Sequence, residues 1–410
     1  MRQGMSVIDL CLFLFDNALV RILTHRFPVI PAGFDFDAFS TDALFTRMEV
    51  KEGRIVLPDG VSYQMMVLPR NGEITLEALR KIASLVQAGA SVYGTRPQRS
   101  GTLHDLEHMV EYEELVNMMW GRNNTPQGCS HYGKGTVYWG MSLTDAVSKA
   151  GMMPDVTVPE KRKFYYAHRT LWDGEIYFLD NHEDTPLAHT FIFRTSKRYA
   201  ELWNPVTGKR YSLQSTLTAD GRISVPLQMA ARESYFVIFS DAQSTSQLPV
   251  KEWNMQEKKT FIQGDWTVDF SEKLGGPGKV VFTALTDWTS HKDERIKYYS
   301  GTAVYRHNLM MDDKRSESRY LLRFAKLASI ARIVLNGREV GTVRCSPWEI
   351  DITEALETGE NKMERYVANS LMNRKNGDSL LHEDQRITYS ATSIATPGMS
   401  LIPSGIIGSV

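Results

Sequence analysis

Three cysteines in 410 residues, Cys11, Cys129 and Cys345, leave at least one thiol unpaired and exclude a disulfide-stapled scaffold. An excess of charge of either sign is also missing: 47 Lys and Arg stand against 48 Asp and Glu, for a net charge of −1. Without a basic surplus there is no electrostatic footprint for nucleic acid or an anionic membrane, and neither is expected as a partner. Long apolar runs are absent as well. Residues 7–23 are interrupted by Asp9, Asp16, Asn17 and Arg21, too often for a membrane span, and lack the small-residue cleavage site of a signal peptide. Neither a repeat of 20 to 50 residues nor a low-complexity tract is found.

What the chain does have is an ordinary globular composition, 42% apolar, 10% aromatic and 23% charged, enough to bury normal cores. At roughly 150 residues per domain this length suggests two to four domains. The first, residues 1–159, alternates strand and helix signals. Met65-Met66-Val67-Leu68, ended by Pro69, reads as a buried parallel strand. Thr75 can cap a helix over 76–88 whose Leu76, Leu79, Ile82, Ala83 and Val86 share one face, and Gly89 stops it. Further strands are expected near 90–93 and 135–139, with helices over 104–120 and 143–150. Strands alternating with helices predict a doubly wound α/β layer, because parallel neighbours need crossovers that cover each face.

Over 160–242 the helical period disappears, and short strands separated by turn residues predict a small antiparallel β-sandwich. Residues 243–260, with Gln243-Ser244-Thr245-Ser246-Gln247, have linker composition. From 261 to 410 the pattern is all-β. Alternation in Thr302–Asn308 predicts half-buried strands, and Asn336-Gly337 between apolar runs is a strong hairpin signal, since a type I′ turn needs positive φ at both central positions.

Several motifs in this last region carry a resemblance: Tyr298-Tyr299-Ser300-Gly301-Thr302-Ala303, Asn336-Gly337 with Gly341, Trp348-Glu349-Ile350-Asp351-Ile352, Gly359-Glu360-Asn361-Lys362 and Pro403-Ser404-Gly405. With Leu57-Pro58-Asp59-Gly60, Trp203-Asn204-Pro205 and Gly264-Asp265-Trp266 upstream, nearly the whole chain resembles the C-terminal part of glycoside hydrolase family 106, the α-L-rhamnosidases. The resemblance implies a multidomain α/β plus all-β fold. Its parts are an amidotransferase-like, flavodoxin-like accessory domain, a small sandwich and a galactose-binding-like jelly roll. It also implies a carbohydrate partner, a rhamnose-containing oligo- or polysaccharide, and a periplasmic or extracellular location. The family's catalytic barrel, with its acid and base carboxylates, is expected on polypeptide upstream, so no catalytic pair is nominated and no cofactor is expected. Residues 12–28 depart from the family's pattern, and the missing export signal suggests an incomplete start.

Carbohydrate recognition uses aromatic faces against the apolar side of a sugar ring, with amides, carboxylates and arginine on its hydroxyls. Candidates in the jelly roll are Trp288, Tyr298, Tyr299, Trp348, Asn373, Arg374, Asp378 and Asp384. The stretch 370–403 is long for a hairpin loop and rich in polar residues. In related jelly rolls the matching loop reaches the sugar site, which would place Asn373, Arg374, Gly377, Asp378 and Asp384 at its rim or at a domain contact. Against this stands ordinary packing, above all for Trp266 and Trp348, which alternate with apolar neighbours. Arg365 sits where the strand after Gly359 should turn an apolar side chain inward. Burying it unpaired is costly, so a frayed or bulged strand is expected there.

Two rival chemistries can be framed in the first domain. His104-Asp105-Leu106-Glu107-His108 matches a zinc pattern if both histidines lie one turn apart on a helix. Cys129 with His131 suggests a thiol nucleophile, although the strand-to-helix elbow such a residue needs is absent. Gly133-Lys134-Gly135 is a poor phosphate loop, since Gly135 stands where Ser or Thr would hold magnesium and a strand follows.

Overall fold

The computed structural model describes residues 3–14, 27–70, 72–122, 125–159, 162–242, 248–251, 253, 258–389 and 398–410. The linker tract 243–247 and most of the divergent 12–28 segment lie outside the described residues. The chain forms two compact units, residues 1–229 with 234–253, and residues 230–233 with 254–410.

The first unit holds two layers systems. Its parallel sheet runs Phe36–Phe39, Leu10–Phe13, Met65–Val67, Ser91–Tyr93 and Gly135–Trp139, with Gly128–Tyr132 added antiparallel at the edge. Numbering the parallel strands along the chain gives the order 2-1-3-4-5, that of flavodoxin-like doubly wound sheets. Met65–Val67 is wholly buried, as a central strand covered on both faces must be. The helix Leu76–Ala88 starts at Thr75, whose side chain accepts from the Ala78 amide. It ends at Gly89, where φ of 129° excludes a side chain at low cost. Arg54–Val56 joins a separate antiparallel trio with Glu49–Lys51 and Ser62–Tyr63.

A six-stranded antiparallel sheet, ordered Met5–Ser6, Phe164–Thr170, Gly174–Asn181, Ser234–Ser240, Tyr199–Trp203 and Arg210–Leu213, belongs to the same unit. It encloses a core of Tyr177, Leu179, Phe191, Phe193, Val225, Val237 and Phe239 with a three-stranded sheet led by Leu187–Phe193 and Ile223–Met229. Met5–Ser6 pairs with Phe164–Thr170, so the chain begins in the sandwich sheet and then enters the α/β layer. Arg169 holds that strand by donating to the Gln3 and Gly4 carbonyls and to Ser6 Oγ.

Beneath this seam lies a charged cluster. Arg194 donates to both oxygens of Asp9 at 2.9 and 3.1 Å and stands 3.3 Å from Asp155. Asp155 meets His168 Nδ1 at 3.0 Å and accepts from the Tyr177 hydroxyl. The far nitrogen of His168 faces Glu175 at 3.7 Å. Asp9, Asp155 and His168 are all buried.

The second unit is built on a six-stranded antiparallel sheet: Gly278–Phe282, Trp266–Phe270, Thr302–Met311, Gly359–Ala368, Ile330–Leu335 and Arg338–Val343. Two short pairs, Leu321–Arg323 with Glu349–Asp351 and Lys326–Ala328 with Gly405–Ile407, complete it. The expected hairpin is present, with φ of 53° at Asn336 and 78° at Gly337. The expectation of a frayed or bulged strand at Arg365 is overturned: Gly359–Ala368 pairs with Thr302–Met311 along all ten residues, and Arg365 points inward opposite Tyr305 and Ile333. Its guanidinium is fully buried, has no hydrogen-bond partner among the described residues, and sits 4.3 Å from the Trp266 ring centre and 5.8 Å from that of Phe324. Ring quadrupoles supply part of what water would have given it. Burial lowers its pKa to about 9, so the charge persists at neutral pH.

Candidate functional site

Four of the candidate residues, Tyr298, Asn373, Arg374 and Asp378, meet at the helix Met372–Ser379 of the second unit, whose Asn373, Arg374, Asn376, Gly377 and Asp378 are buried. A helix this polar can only be buried if each side chain finds a partner. Asn373 closes a reciprocal pair with Ile402, its Nδ2 donating to the carbonyl at 2.7 Å and its Oδ1 accepting from the amide at 2.8 Å. Its amide also reaches Ser404 Oγ, which accepts from Asn369 as well. Asn376 donates to the Met399 carbonyl at 2.6 Å. Asp378 Oδ2 accepts from both the amide and the hydroxyl of Thr388.

Arg374 offers its backbone amide to Ser300 Oγ and its side chain to the Leu274 carbonyl at 3.3 Å. Desolvation pulls its pKa down against the pull of Asp378 and the Tyr299 ring oxygen. Nε of Arg374 and Oδ1 of Asp378 are buried with no partner among the described residues. Tyr298, half-buried, packs on Gly377, where an added Cβ would lie 2.7 Å from the ring. The glycine is therefore required by the contact. Together these groups pin the return segment 399–404 and the start of the loop at Thr388.

Trp288 and Tyr299 lie deeper and are fully buried. Trp288 donates to the Tyr305 hydroxyl at 2.6 Å and meets Phe270 and Tyr299 edge-on. Tyr299 donates to the Thr302 carbonyl and accepts from the Ser271 amide. Neither has a ring face left for a sugar, so packing is their role in this conformation. Trp348 is half-buried against the core, with no hydrogen bond or ring contact to the helix group. Asp384 is exposed and bonded to His382 at 2.6 Å. The structure thus unites Asn373, Arg374, Asp378 and Tyr298, sets Trp288 and Tyr299 beneath them, and leaves Trp348 and Asp384 apart.

Sequence reasoning missed Asn369, Asn376, Ser300 and Ser404 as parts of this network. The clustering of asparagines at 369, 373 and 376 was the available signal, since buried amides satisfy loop backbone that no strand pairs.

The rival sites in the first unit do not assemble. His104, Glu107 and His108 fall in a 3₁₀ turn, Leu103–His108, and not on an α-helix. At three residues per turn positions i and i+4 point about 120° apart, so the two histidines do not share a face. Among the described residues no group of three His, Cys, Asp or Glu side chains is placed to hold a metal. Cys129 and His131 lie on the edge strand Gly128–Tyr132, opposite Tyr138 and Thr136, and His131 bonds Thr136 Oγ1 at 3.0 Å. A strand interior offers neither the elbow nor a thiol–imidazole hydrogen bond.

A parallel α/β layer and several antiparallel sheets define a β-rich multidomain fold. More particularly, the chain belongs to glycoside hydrolase family 106: the family model described as alpha-L-rhamnosidase matches residues 1–216. The sugar binding domain of glycosyl hydrolases family 2 matches residues 233–395. The solved rhamnosidase from Novosphingobium sp. PP1Y is similar over 99% of this chain at a TM-score of 0.74 and 28% identity. A Formosa agariphila protein provisionally named beta-glucuronidase is 27% identical over 301 residues, 68% of this chain. The chain spans 39% of the length of the first and 24% of the second.

Proposed function

We propose that these residues form the non-hydrolysing, carbohydrate-facing region of a glycosidase of the α-L-rhamnosidase type, acting with a catalytic barrel on rhamnose-bearing plant polysaccharide. The observation that carries this reading is the fate of the carboxylates. Glycoside hydrolysis usually needs two of them facing each other about 5 to 10 Å apart across a cleft. In the candidate region Asp378 is buried and engaged by Thr388, and Asp287 accepts from the amides of Thr289 and Ser404. Among the described residues no sheet has more than six strands, so none is an eight-stranded barrel. Family membership and the sugar binding domain match support the carbohydrate side of the proposal.

Incubating the purified chain with p-nitrophenyl α-L-rhamnoside is expected to release no nitrophenol above blank, and appreciable turnover overturns the proposal. A second reading, a scaffold that binds no sugar, is favoured by one observation. The buried Asn373 and Asp378 spend their hydrogen bonds on the chain's own loop. Calorimetry with L-rhamnose and a rhamnose-terminated oligosaccharide separates the two, because a scaffold gives only heats of dilution.

A further inference from the structure

Two sheets enclose the sandwich core of the first unit, and their outward faces are built differently. In the three-stranded sheet the strand Ile223–Met229 has Ile223, Val225, Leu227 and Met229 buried and Pro226 and Gln228 exposed. Strict alternation of this kind is the pattern of a strand with one face in water. In the six-stranded sheet the neighbouring strands Gly174–Asn181 and Ser234–Ser240 carry unbroken apolar runs instead, Ile176-Tyr177-Phe178-Leu179 and Tyr235-Phe236-Val237-Ile238-Phe239. Such runs belong to strands covered on both faces.

Only one of those faces has a core, into which Tyr177, Leu179, Tyr235, Val237 and Phe239 point. Their neighbours Ile176, Phe178, Phe236 and Ile238 turn outward, half-buried, and join no apolar cluster among the described residues. The four are contiguous. Ile176 pairs with Ile238 and Phe178 with Phe236, the two phenyl rings 5.2 Å apart. Trp203 pairs with Phe236 on its other side and extends the row. Its indole is exposed, with the Arg210 guanidinium 4.4 Å from the ring centre and Glu201 accepting from its nitrogen at 2.7 Å. Glu201 also accepts from Arg210, at 2.9 Å. On the opposite rim Arg169 is spent on Gln3, Gly4 and Ser6.

The chemistry of this face decides what can cover it. Its central side chains offer no donor or acceptor, and the rim groups hold one another, so a sugar would find nothing for its hydroxyls. An apolar, aromatic centre with arginine and carboxylate at its edge has the anatomy of a protein interface. The solved rhamnosidase continues well beyond the part this chain resembles, which is 39% of its length. We propose that the outward face of Gly174–Asn181 and Ser234–Ser240 is a docking surface for that further polypeptide, an apolar surface of the catalytic part seated on Ile176, Phe178, Phe236 and Ile238 with Trp203 at the rim. The assignment rests on the reading above, in which this region acts with a catalytic barrel. It adds the surface on which the two meet.

The test is hydroxyl-radical footprinting read by peptide mass spectrometry on two whole proteins, this chain and the Novosphingobium rhamnosidase. In this chain Phe178 and Phe236 are expected to oxidise readily, while Phe193 and Phe239, buried in the same sandwich, stay protected. In the rhamnosidase the peptides aligned with 174–181 and 234–240 are expected to lose that oxidation. Equal oxidation of those peptides in both proteins overturns the docking surface. Protection of Phe178 and Phe236 in a monomer of this chain also overturns it, because the chain would then cover the face itself. If the chain sediments as a dimer that Phe236→Lys dissociates, the occupant is a second copy and the proposal falls. None of these outcomes bears on hydrolysis. Release of nitrophenol by the chain alone, which overturns the reading above, is therefore told apart from the failure of this surface.

Discussion

Each unit of this chain has an arginine withdrawn from solvent, Arg194 partly and Arg365 fully, and the two are stabilised by opposite means. Arg194 in the first unit binds Asp9, touches Asp155, and so connects the residue before strand Leu10–Phe13 with the sandwich. Among the described residues Arg365 in the second unit has no hydrogen-bond partner, and it lies against Trp266 and Phe324. One charge is neutralised by paired charges, the other only softened by polarisable rings. A buried cation therefore says little until its partners are known: the first should be a structural lock, the second a stability cost retained in a core.

Removing Arg194 is the largest test of the difference. Arg194→Met leaves the buried Asp9 carboxylate with Gln64 but without its cation, and Asp155 with His168 and Tyr177, and breaking such a pair typically costs about 3 to 5 kcal/mol. The sign with pH is also fixed. Burial already holds the Asp9 pKa above its ordinary value in spite of Arg194, and without the guanidinium it rises further. A raised carboxylate pKa gives stability that is present at low pH and lost as pH rises through the folded value. The variant should therefore lose less at pH 5 than at pH 7, as read by chemical unfolding followed through the first unit. An equal loss at both would mean that Arg194 acts by packing alone.

Arg365→Met should move stability the other way. The substitution removes a desolvated charge without leaving a bonded partner behind, and gives up a cation–π contact of about 2 kcal/mol or less. Replacing buried charge by apolar side chains of similar volume is often stabilising by about 1 to 4 kcal/mol. A net gain of about 1 to 2 kcal/mol is expected, about 2 to 8 °C in the melting of the second unit for its size. Calorimetry that shows a loss instead would place a hydrogen-bonding role on Arg365 and erase the contrast with Arg194.

The same contrast marks how far sequence reasoning reached. Periodicity located the Leu76–Ala88 helix with its Thr75 and Gly89 ends, the buried strand Met65–Val67 and the hairpin at Asn336-Gly337, because each is decided by local geometry. It flagged Arg365 as anomalous and expected the backbone to yield. In the fold the side chain yields instead, because Trp266 and Phe324 come from segments distant in sequence that only tertiary packing brings alongside. The Asp9, Asp155, His168 and Arg194 cluster was illegible for the same reason: its members are spread over 186 positions and share no motif. In the candidate site, residues 373, 374 and 378 were legible as a polar group in a long loop. Their burial was not, since nothing local says that the segment folds back as a helix held by Ile402 and Met399.

The smallest effect concerns His168, which decides whether the first unit's lock is sensitive to pH near neutrality. Burial disfavours its charge, but hydrogen bonding and attraction from Asp155 and Glu175 outweigh that and raise its pKa above the ordinary value near 6.5. A base with a raised folded pKa contributes stability fully present below the unfolded value and lost as pH climbs through the folded one. The groups facing the ring are Asp155, Glu175, the stacked Tyr177 and, beyond Asp155, Arg194. Deprotonation leaves one cation against Asp9, Asp155 and Glu175. The melting temperature of the first unit should thus decline from pH 6 to pH 8, by less than either arginine substitution moves its own unit. His168→Gln keeps a donor for Asp155 without a titrating charge, and should be less stable at pH 6 but flat across the window. A decline of equal slope in the variant would assign the pH dependence to other groups, and would leave Arg194 as the cluster's sole working cation.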